Sequence, residues 1–212
     1  EIVRAAGWAA RLAGDAPADI LEGSLLPGDY AVTRGDTISD VIERMKKAQK
    51  DLLAEIWDSR NTSTLATLWE QPQRADPVKT QMEAIILASI VEKETGKSSE
   101  RPMIAAVFVN RLNKGMMLQT DPTVIYGIGS KFDGNIRKRD LETDTPYNTY
   151  MRTGLPPTPI ALPGDESLAA ALAPAQSDAL YFVSRGDGSS HFSGNLNDHN
   201  KAVNQYQRPV TP

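Results

Sequence analysis

The uncharged run ILASIV, at residues 86–91, is the feature that most constrains how this chain can fold. It is followed by the charged triplet Glu-Lys-Glu at 92–94 and then by Gly96, a residue type common just beyond a helix C-terminus. The pattern predicts a strongly apolar helix over 78–95. Such a helix needs a substantial core around it, and a chain of 212 residues with 40% hydrophobic content can supply one.

The sequence changes in character near residue 76. Residues 1–76 are polar and predict a helix-rich N-terminal subdomain, with a long helix whose N-cap is Asp36 or Thr37. A second helix is predicted from Thr62 to about Glu70, before a proline-containing segment breaks the pattern. We therefore predict a boundary between residues 76 and 77.

Residues 77–212 are predicted to form a second, larger domain. After the apolar helix, a second helix is expected from near Ser99 to about Asn113. The segments LYFVSRG and SSHFS, at 180–193, are typical of a β-hairpin, and a last amphipathic helix is expected over 196–207. The overall prediction is an α+β fold: a mainly helical core with a short β-hairpin and long loops, preceded by the small helix-rich subdomain.

Charge and composition exclude several classes of protein. The net charge of −4 argues against a general binder of nucleic acid or of anionic membranes, which would need a basic surface. The absence of cysteine rules out disulfides and thiolate chemistry, and it fits an oxidising compartment. No segment approaches the roughly 18 apolar residues of a membrane span. Since the chain starts with Glu1 rather than methionine, we expect a processed piece of a longer protein.

Glu92 and Glu94 lie on different sides of the predicted apolar helix, so they cannot act there as a pair. Residues two apart are separated by about 200° around a helix axis. Glu94 follows the bulky Ile90 and Val91 at i−4 and i−3, whereas Glu92 follows the smaller Ala88. Glu94 therefore continues the more apolar surface.

The position of Glu94 in the last helical turn predicts a raised pKa. Apolar neighbours and the negative end of the helix dipole both disfavour a charged carboxylate. A glutamate that stays protonated near neutral pH can serve as a general acid. The alternative, in which Glu94 simply extends into water beside Lys97, stays open at this point.

Four long motifs, in this order along the chain, resemble the YceG-like (MltG) endolytic murein transglycosylases. The resemblance is close over about 82–206 and extends more weakly into the first subdomain through LEGSLLPGDY. The motifs are ASIVEKET, VFVNRLNKGMMLQTDPTVIYGIG, YNTYMRTGLPPTPIALPG and LYFVSRGDGSSHFSGNLNDHNKAVNQY.

The resemblance implies cleavage of the β-1,4 bond between N-acetylmuramic acid and N-acetylglucosamine, leaving 1,6-anhydro ends without use of water. It also implies that 77–212 is the catalytic domain, with groove-forming loops, and that the glutamate before the threonine of EKET, here Glu94, is the catalytic acid and base. No cofactor is implied. Such enzymes act on peptidoglycan strands at the periplasmic face of the inner membrane. The resemblance further implies an upstream membrane anchor, a LysM-like segment and cooperation with peptidoglycan synthases (penicillin-binding proteins).

The loops over 115–160 are predicted to form the sugar-binding groove. Amide and aromatic side chains there could contact N-acetyl groups and sugar faces; the predicted substrate-binding residues are Gln119, Asp121, Tyr147 and Asn148, with Tyr126 and Tyr150 as further candidates. Asp121, followed by Pro122, is the best candidate for a second carboxylate, but it is better explained by capping a turn through a hydrogen bond to backbone. The proline-rich segment 153–164 should form a rigid wall.

Two other functions remain as alternatives. One is a peptidoglycan-binding module without catalysis. The other is a pyridoxal-phosphate-dependent aminodeoxychorismate lyase, a label that this family has sometimes carried; it would need Lys93 as its Schiff-base lysine. A metal site is not expected, because His191 and His199 lack a third ligand at suitable spacing.

Overall fold

The computed structural model describes residues 12, 14, 17, 20–60 and 76–207. The predicted helix from Thr62 to Glu70 lies outside these residues. The helices are α1 Ile38–Arg60, α2 Gln81–Glu94, α3 Arg101–Asn113, α4 Asp121–Ile128, α5 Lys138–Glu142, α6 Asp165–Leu172 and α7 Leu196–Tyr206, and the strands are β1 Tyr181–Ser184 and β2 Ser190–Ser193. Within the described ranges, no helix combines the length and apolarity that crossing a bilayer requires.

Helix α2 is the apolar helix that the sequence predicts, and its N-terminus is fixed by a capping box. Thr80 accepts a hydrogen bond from the backbone N–H of Glu83, whose carboxylate accepts one from the backbone of Thr80 in return. This reciprocal cap explains why the helix starts at Gln81 rather than near 78. The residues from 84 to 91 are all buried, and the helix ends at Glu94, where Thr95 is extended.

The core forms where α2, α3 and α6 pack together. Leu87 and Ile90 of α2 and Phe108 of α3 are fully buried there, and the ring of Phe108 meets that of Phe182 edge to face at 6.1 Å. Helix α1, which begins after its N-cap Thr37, contributes Leu53 to the same core. The described part of the N-terminal region is thus packed onto α2 and its neighbours, and a domain boundary at 76/77 stays a prediction.

The predicted hairpin is confirmed. Strands β1 and β2 are antiparallel, with Tyr181 opposite Ser193 and Phe182 opposite Phe192. Helix α7 follows directly and packs on both strands. The described residues are mainly helical with one two-stranded sheet, which confirms the α+β fold class.

The region from 115 to 165 contains more regular structure than the sequence indicated. Helices α4 and α5 lie within it and α6 follows at its end; we predicted none of them, because each is short and gives little periodic signal. Segment 153–164 forms no strand and lies along α2, as a wall would. Its backbone is attached there by Ile160 N–H, which donates to Ser89 Oγ at 3.0 Å, and by Gly164 N–H, which donates to Glu92 Oε2 at 3.1 Å.

Candidate functional site

Glu92, the nearer of the two glutamates to the apolar run, has a structural role. Its carboxylate accepts hydrogen bonds from Gly164 N–H and from Ser167 Oγ, the latter at 2.6 Å, and it lies 3.6 Å from the guanidinium of Arg101. These contacts attach the proline-rich wall, α6 and α3 to α2. Because Glu92 is fully engaged in joining elements of the fold, it is a poor candidate for proton transfer.

Glu94, on another side of the same helix, lies in a cleft. Thr120 Oγ1 donates a hydrogen bond to Glu94 Oε1. Burial raises the pKa of Glu94 and outweighs the hydrogen bond from Thr120, which lowers it, and the negative charge of Asp121 raises the pKa further. The expectation of a raised pKa is therefore supported, although its main cause is burial by the loops that cover the helix end.

A cluster of three buried threonines, Thr120, Thr123 and Thr149, positions the hydroxyl that contacts Glu94. Thr120 N–H donates to Thr149 Oγ1 at 3.1 Å, Thr123 Oγ1 donates to Thr120 O at 2.8 Å, and the hydroxyls of Thr123 and Thr149 are 2.9 Å apart. Loop 118–121 is thereby fixed to loop 148–150. Both loops must fold correctly before Glu94 receives its hydrogen bond.

Gln119 precedes this cluster in a strained backbone conformation. Its φ of +53° is the one positive value at a non-glycine residue in the described part of the chain. The strain is held by a hydrogen bond from Gln119 N–H to Thr149 O at 3.0 Å and by one that its side-chain oxygen accepts from Arg111 at 3.2 Å. Backbone strain of this kind is common where side chains must be aimed into a site.

The cleft has a volume of about 460 Å³ and joins elements that are distant in sequence. One side is formed by the end of α2 with loop 118–121 and Tyr150, and the other by β1 and α7. Its lining residues are Glu94, Arg111, Leu118, Gln119, Asp121, Tyr150, Tyr181, Phe182, Leu196, His199 and Asn200.

Two of the four predicted substrate-binding residues, Gln119 and Asp121, lie in the cleft with Glu94. Asp121 is the first residue of α4, and its Oδ1 accepts a hydrogen bond from the hydroxyl of Tyr150 at 2.6 Å. The expected turn cap to backbone is therefore wrong, because the carboxylate faces the cleft and bonds a side chain. Tyr150, a further candidate from the sequence, lines the same space.

The other two, Tyr147 and Asn148, do not line this cleft, and the expectation of a direct contact is corrected for Asn148. That residue is 1% exposed, and its amide donates to the carbonyls of three residues, Asp140, Leu141 and Thr143, while its Oδ1 accepts from Tyr150 N–H. A side chain so enclosed supports the loop rather than a ligand. Tyr147 bonds Thr158 at 2.7 Å and packs against Tyr126.

The side of the cleft that the hairpin and α7 form was not predicted from the sequence. Phe182, Leu196 and Asn200 gave no chemical signal of their own, since aromatic and aliphatic residues in a hairpin or amphipathic helix usually pack in a core. Arg111 did carry a signal, because a cation within the apolar stretch of α3 is unusual and calls for an explanation.

The residues that a Schiff base or a metal site would need are not arranged for either one. Lys93 is exposed and does not line the cleft, so the geometry gives no support to a Schiff base there. His199 stacks on Tyr181 at 5.1 Å, and His191 packs against Tyr206. Within residues 20–60 and 76–207, no three His, Asp or Glu side chains are placed to hold a metal ion.

Comparison with known proteins gives one consistent family. The model of the YceG-like family matches residues 2–205. An endolytic murein transglycosylase of Bacillus subtilis is 38% identical over 187 residues, and one of Streptococcus pneumoniae is 32% identical over 192 residues. A crystal structure of a yceG-like protein from Listeria monocytogenes superposes with a TM-score of 0.69 at 39% identity, covering 85% of this chain.

These relatives are longer proteins. Each curated alignment includes 88% of this chain, but only 48% of the Bacillus protein and 32% of the Streptococcus protein. The chain likewise covers 55% of the Listeria structure. It thus spans about half the length, or less, of the relatives that it matches.

Proposed function

Because this chain belongs to the YceG-like family, we propose that it cuts peptidoglycan strands endolytically, as a lytic transglycosylase in which Glu94 is the single acid and base. The observation that carries the proposal is one half-buried carboxyl group, whose pKa is raised chiefly by desolvation, at the wall of a cleft of about 460 Å³. Its position in the EKET motif and the names of the relatives agree with it.

The hydrogen bond from Thr120 suggests which oxygen of Glu94 transfers the proton. Thr120 donates to Oε1, so in the protonated acid the proton is best placed on Oε2. Oε2 would protonate the departing glycosidic oxygen as the bond to C1 of the muramyl unit breaks. The same carboxylate then takes the proton of the sugar's C6 hydroxyl while O6 closes on C1, so Glu94 ends in its starting state and no water is consumed.

Asp121 is assigned to the cleft as an acceptor and a fixed negative charge rather than as a second proton-transfer group. A hydrolase would need a second carboxyl group to activate water or to attack C1. The carboxylate of Asp121 is instead bonded by Tyr150, whose own pKa is raised chiefly by burial. A negative charge here can stabilise positive charge that develops at C1, and it adds to the rise in the pKa of Glu94 that burial causes.

The products of digestion test this proposal. Sacculi incubated with the protein in water labelled with ¹⁸O should yield muropeptides that end in 1,6-anhydro sugars without the label. Mass spectrometry separates these from the reducing ends of a hydrolase, which would be heavier by one water and carry ¹⁸O. Labelled reducing ends would show that the protein is a hydrolase rather than a transglycosylase. Intact sacculi would favour a binding module without catalysis.

The two neighbours of Glu94 are expected to move its pH profile in opposite directions. The acid role needs protonated Glu94, so kcat/KM should fall as pH rises through its pKa. Asp121→Asn removes a charge that raises this pKa and should shift the fall to lower pH. Thr120→Val removes a hydrogen bond that lowers the pKa, so the fall should occur at higher pH, with kcat reduced about fivefold to tenfold.

Rates of glycan cleavage between pH 4 and 9 check this pair of variants. The two shifts must differ in sign; shifts in the same direction, or none, would show that another group controls the profile.

For the whole protein, we propose an extracytoplasmic location, where peptidoglycan lies. The membrane anchor, the LysM-like segment and cooperation with peptidoglycan synthases belong to the same proposal, and the family resemblance is their support.

A further inference from the structure

Arg111 is a buried cation in the wall of the cleft, and none of the described carboxylates pairs with it. It is 7% exposed, and within the part of the chain that the structure describes no carboxylate oxygen lies within 4.0 Å of its guanidinium. Two other largely buried arginines do have carboxylate partners. Arg60 pairs with Asp76 at 3.1 Å, and Arg101 pairs with both Glu92 and Glu166.

The hydrogen bonds of Arg111 use only part of its guanidinium. Nε donates to Leu180 O at 2.7 Å, and Nη1 faces the carbonyls of Met117 and Leu118 at 3.0 and 2.9 Å and the side-chain oxygen of Gln119 at 3.2 Å. Among the described residues, Nη2 has no hydrogen-bond acceptor. The guanidinium thus connects α3 to loop 117–119 and to Leu180 just before β1. The two N–H donors of Nη2 remain available.

Joining these loops does not require a charge. All four acceptors of Nε and Nη1 are neutral oxygens, and a buried cation without a counter-ion carries a large desolvation cost. Burial accordingly lowers the pKa of Arg111, although an arginine stays charged at any physiological pH. The ring of Tyr181, 5.0 Å from the guanidinium carbon, compensates only part of this cost.

We propose that the Nη2 end of Arg111 binds a carboxylate of the substrate, carried by the substituent on the muramyl unit. This inference rests on the proposed function, because it assigns an orientation to the strand in the same cleft. Glu94 and Asp121 face the bond that breaks, and Arg111 faces the acidic side group. Leu196, which is 55% exposed in the same wall, supplies apolar surface for the carbon atoms of that group.

Two carboxylates in peptidoglycan have this chemistry. Muramic acid carries a lactyl carboxylate that is free when the peptide stem has been removed, and a stem that is present carries carboxylates of its own. Arg111 could serve either one. The net charge of −4 disfavours nonspecific attraction of an acidic polymer, so a preference for anionic strands would point to a specific cation.

Binding to chemically modified glycan tests the assignment. Glu94→Gln protein, which should bind without cutting, is titrated with stem-free strands and with stem-bearing strands, each with free or methyl-esterified carboxylates. Esterification should weaken binding about tenfold or more, the usual loss for a hydrogen bond to a charged group. The strand type that shows this loss identifies which carboxylate is bound.

Arg111→Lys, made in the same Glu94→Gln protein, is the matched variant. A lysine keeps the positive charge and can reach a backbone carbonyl, but it has no second terminal nitrogen for the cleft. It should bind free and esterified strands with nearly equal affinity. Arg137→Lys, at an exposed arginine paired with Asp133, is the control and should keep the full preference.

Equal binding of free and esterified strands by the Arg111-containing protein would overturn the inference, even if Arg111→Lys fails to fold. A preference that survives in Arg111→Lys would overturn it too. Neither result would affect the proposed function, which is judged separately on wild-type protein by the anhydro ends that it produces. Loss of those ends with a retained carboxylate preference would reject the catalysis and keep Arg111 as part of a binding site.

Discussion

Glu94→Gln is expected to lower kcat for glycan cleavage by about 10³-fold while leaving glycan binding intact. General acid–base catalysis of this kind contributes about 10²–10⁴-fold, and glutamine has no proton to give or recover. Its side-chain oxygen can still accept the hydrogen bond from Thr120, so the cleft should keep its shape. Release of soluble anhydro-muropeptides measures the rate, and sedimentation with sacculi measures binding.

The same substitution should stabilise the fold at neutral and higher pH. Because the pKa of Glu94 is raised in the folded protein, its stabilising contribution is present at low pH and is lost as pH rises through that pKa. A permanently neutral glutamine avoids that loss. Urea unfolding should show the variant to be the more stable protein at pH 8 and equal to wild type at pH 4.

Glu92→Gln is the matched control on the same helix. It weakens the contact with Arg101 and should lower the melting temperature by a few degrees, yet cleavage should stay within about twofold of wild type. If Glu92→Gln abolished cleavage and Glu94→Gln did not, the assignment of the two carboxyl groups would be reversed. If neither changed the rate, the catalytic group would lie elsewhere.

Asn148→Ala is expected to have the second-largest effect, and this effect is mainly on the stability of the fold. Truncation leaves three part-buried carbonyls without their shared donor and Tyr150 N–H without its acceptor. Unpaired buried groups cost about 1–3 kcal/mol each before relaxation, so we expect a total loss of about 3 kcal/mol and a fall in melting temperature of roughly 10 °C. Calorimetry and urea unfolding give both values.

Activity separates a supporting role for Asn148 from a direct contact with substrate. Loop 148–150 holds the threonine cluster and Tyr150, so Asn148→Ala should reduce kcat, and lowering the temperature should restore part of the loss. A side chain that contacted glycan would instead raise KM in a fully folded protein. Asn135→Ala, at an exposed asparagine, should change neither stability nor rate.

Much of the fold could be predicted because strong local patterns coincide with the elements. The apolar run gave α2, and its helical geometry separated Glu94 from Glu92 before any contact was known. That separation holds in three dimensions, where Glu92 joins the wall to α6 and Glu94 faces the cleft. The burial of Glu94, however, depends on loop 118–121, which helix position alone cannot reveal.

The sequence was less informative where neighbouring polar residues in one loop have opposite roles. Asn148 and Tyr150 are two positions apart in one loop; the first is enclosed by carbonyls and the second lines the cleft. No periodic pattern distinguishes them, because a loop has no fixed repeat. Arg111 could have been singled out, since a charge in a buried helix face requires a partner.

The wall formed by β1 and α7 has a consequence for when the protein can become active. Glu94 comes well before Tyr181, Leu196 and Asn200 along the sequence, although all four line the same cleft. A chain that has emerged only as far as residue 180 already contains Glu94 but lacks the side of the cleft that β1 and α7 form, so it cannot hold a glycan strand there. If Glu94 acts as proposed, a nascent chain, or one clipped before β1, cannot yet cut a glycan strand, and cleavage becomes possible only once α7 has folded.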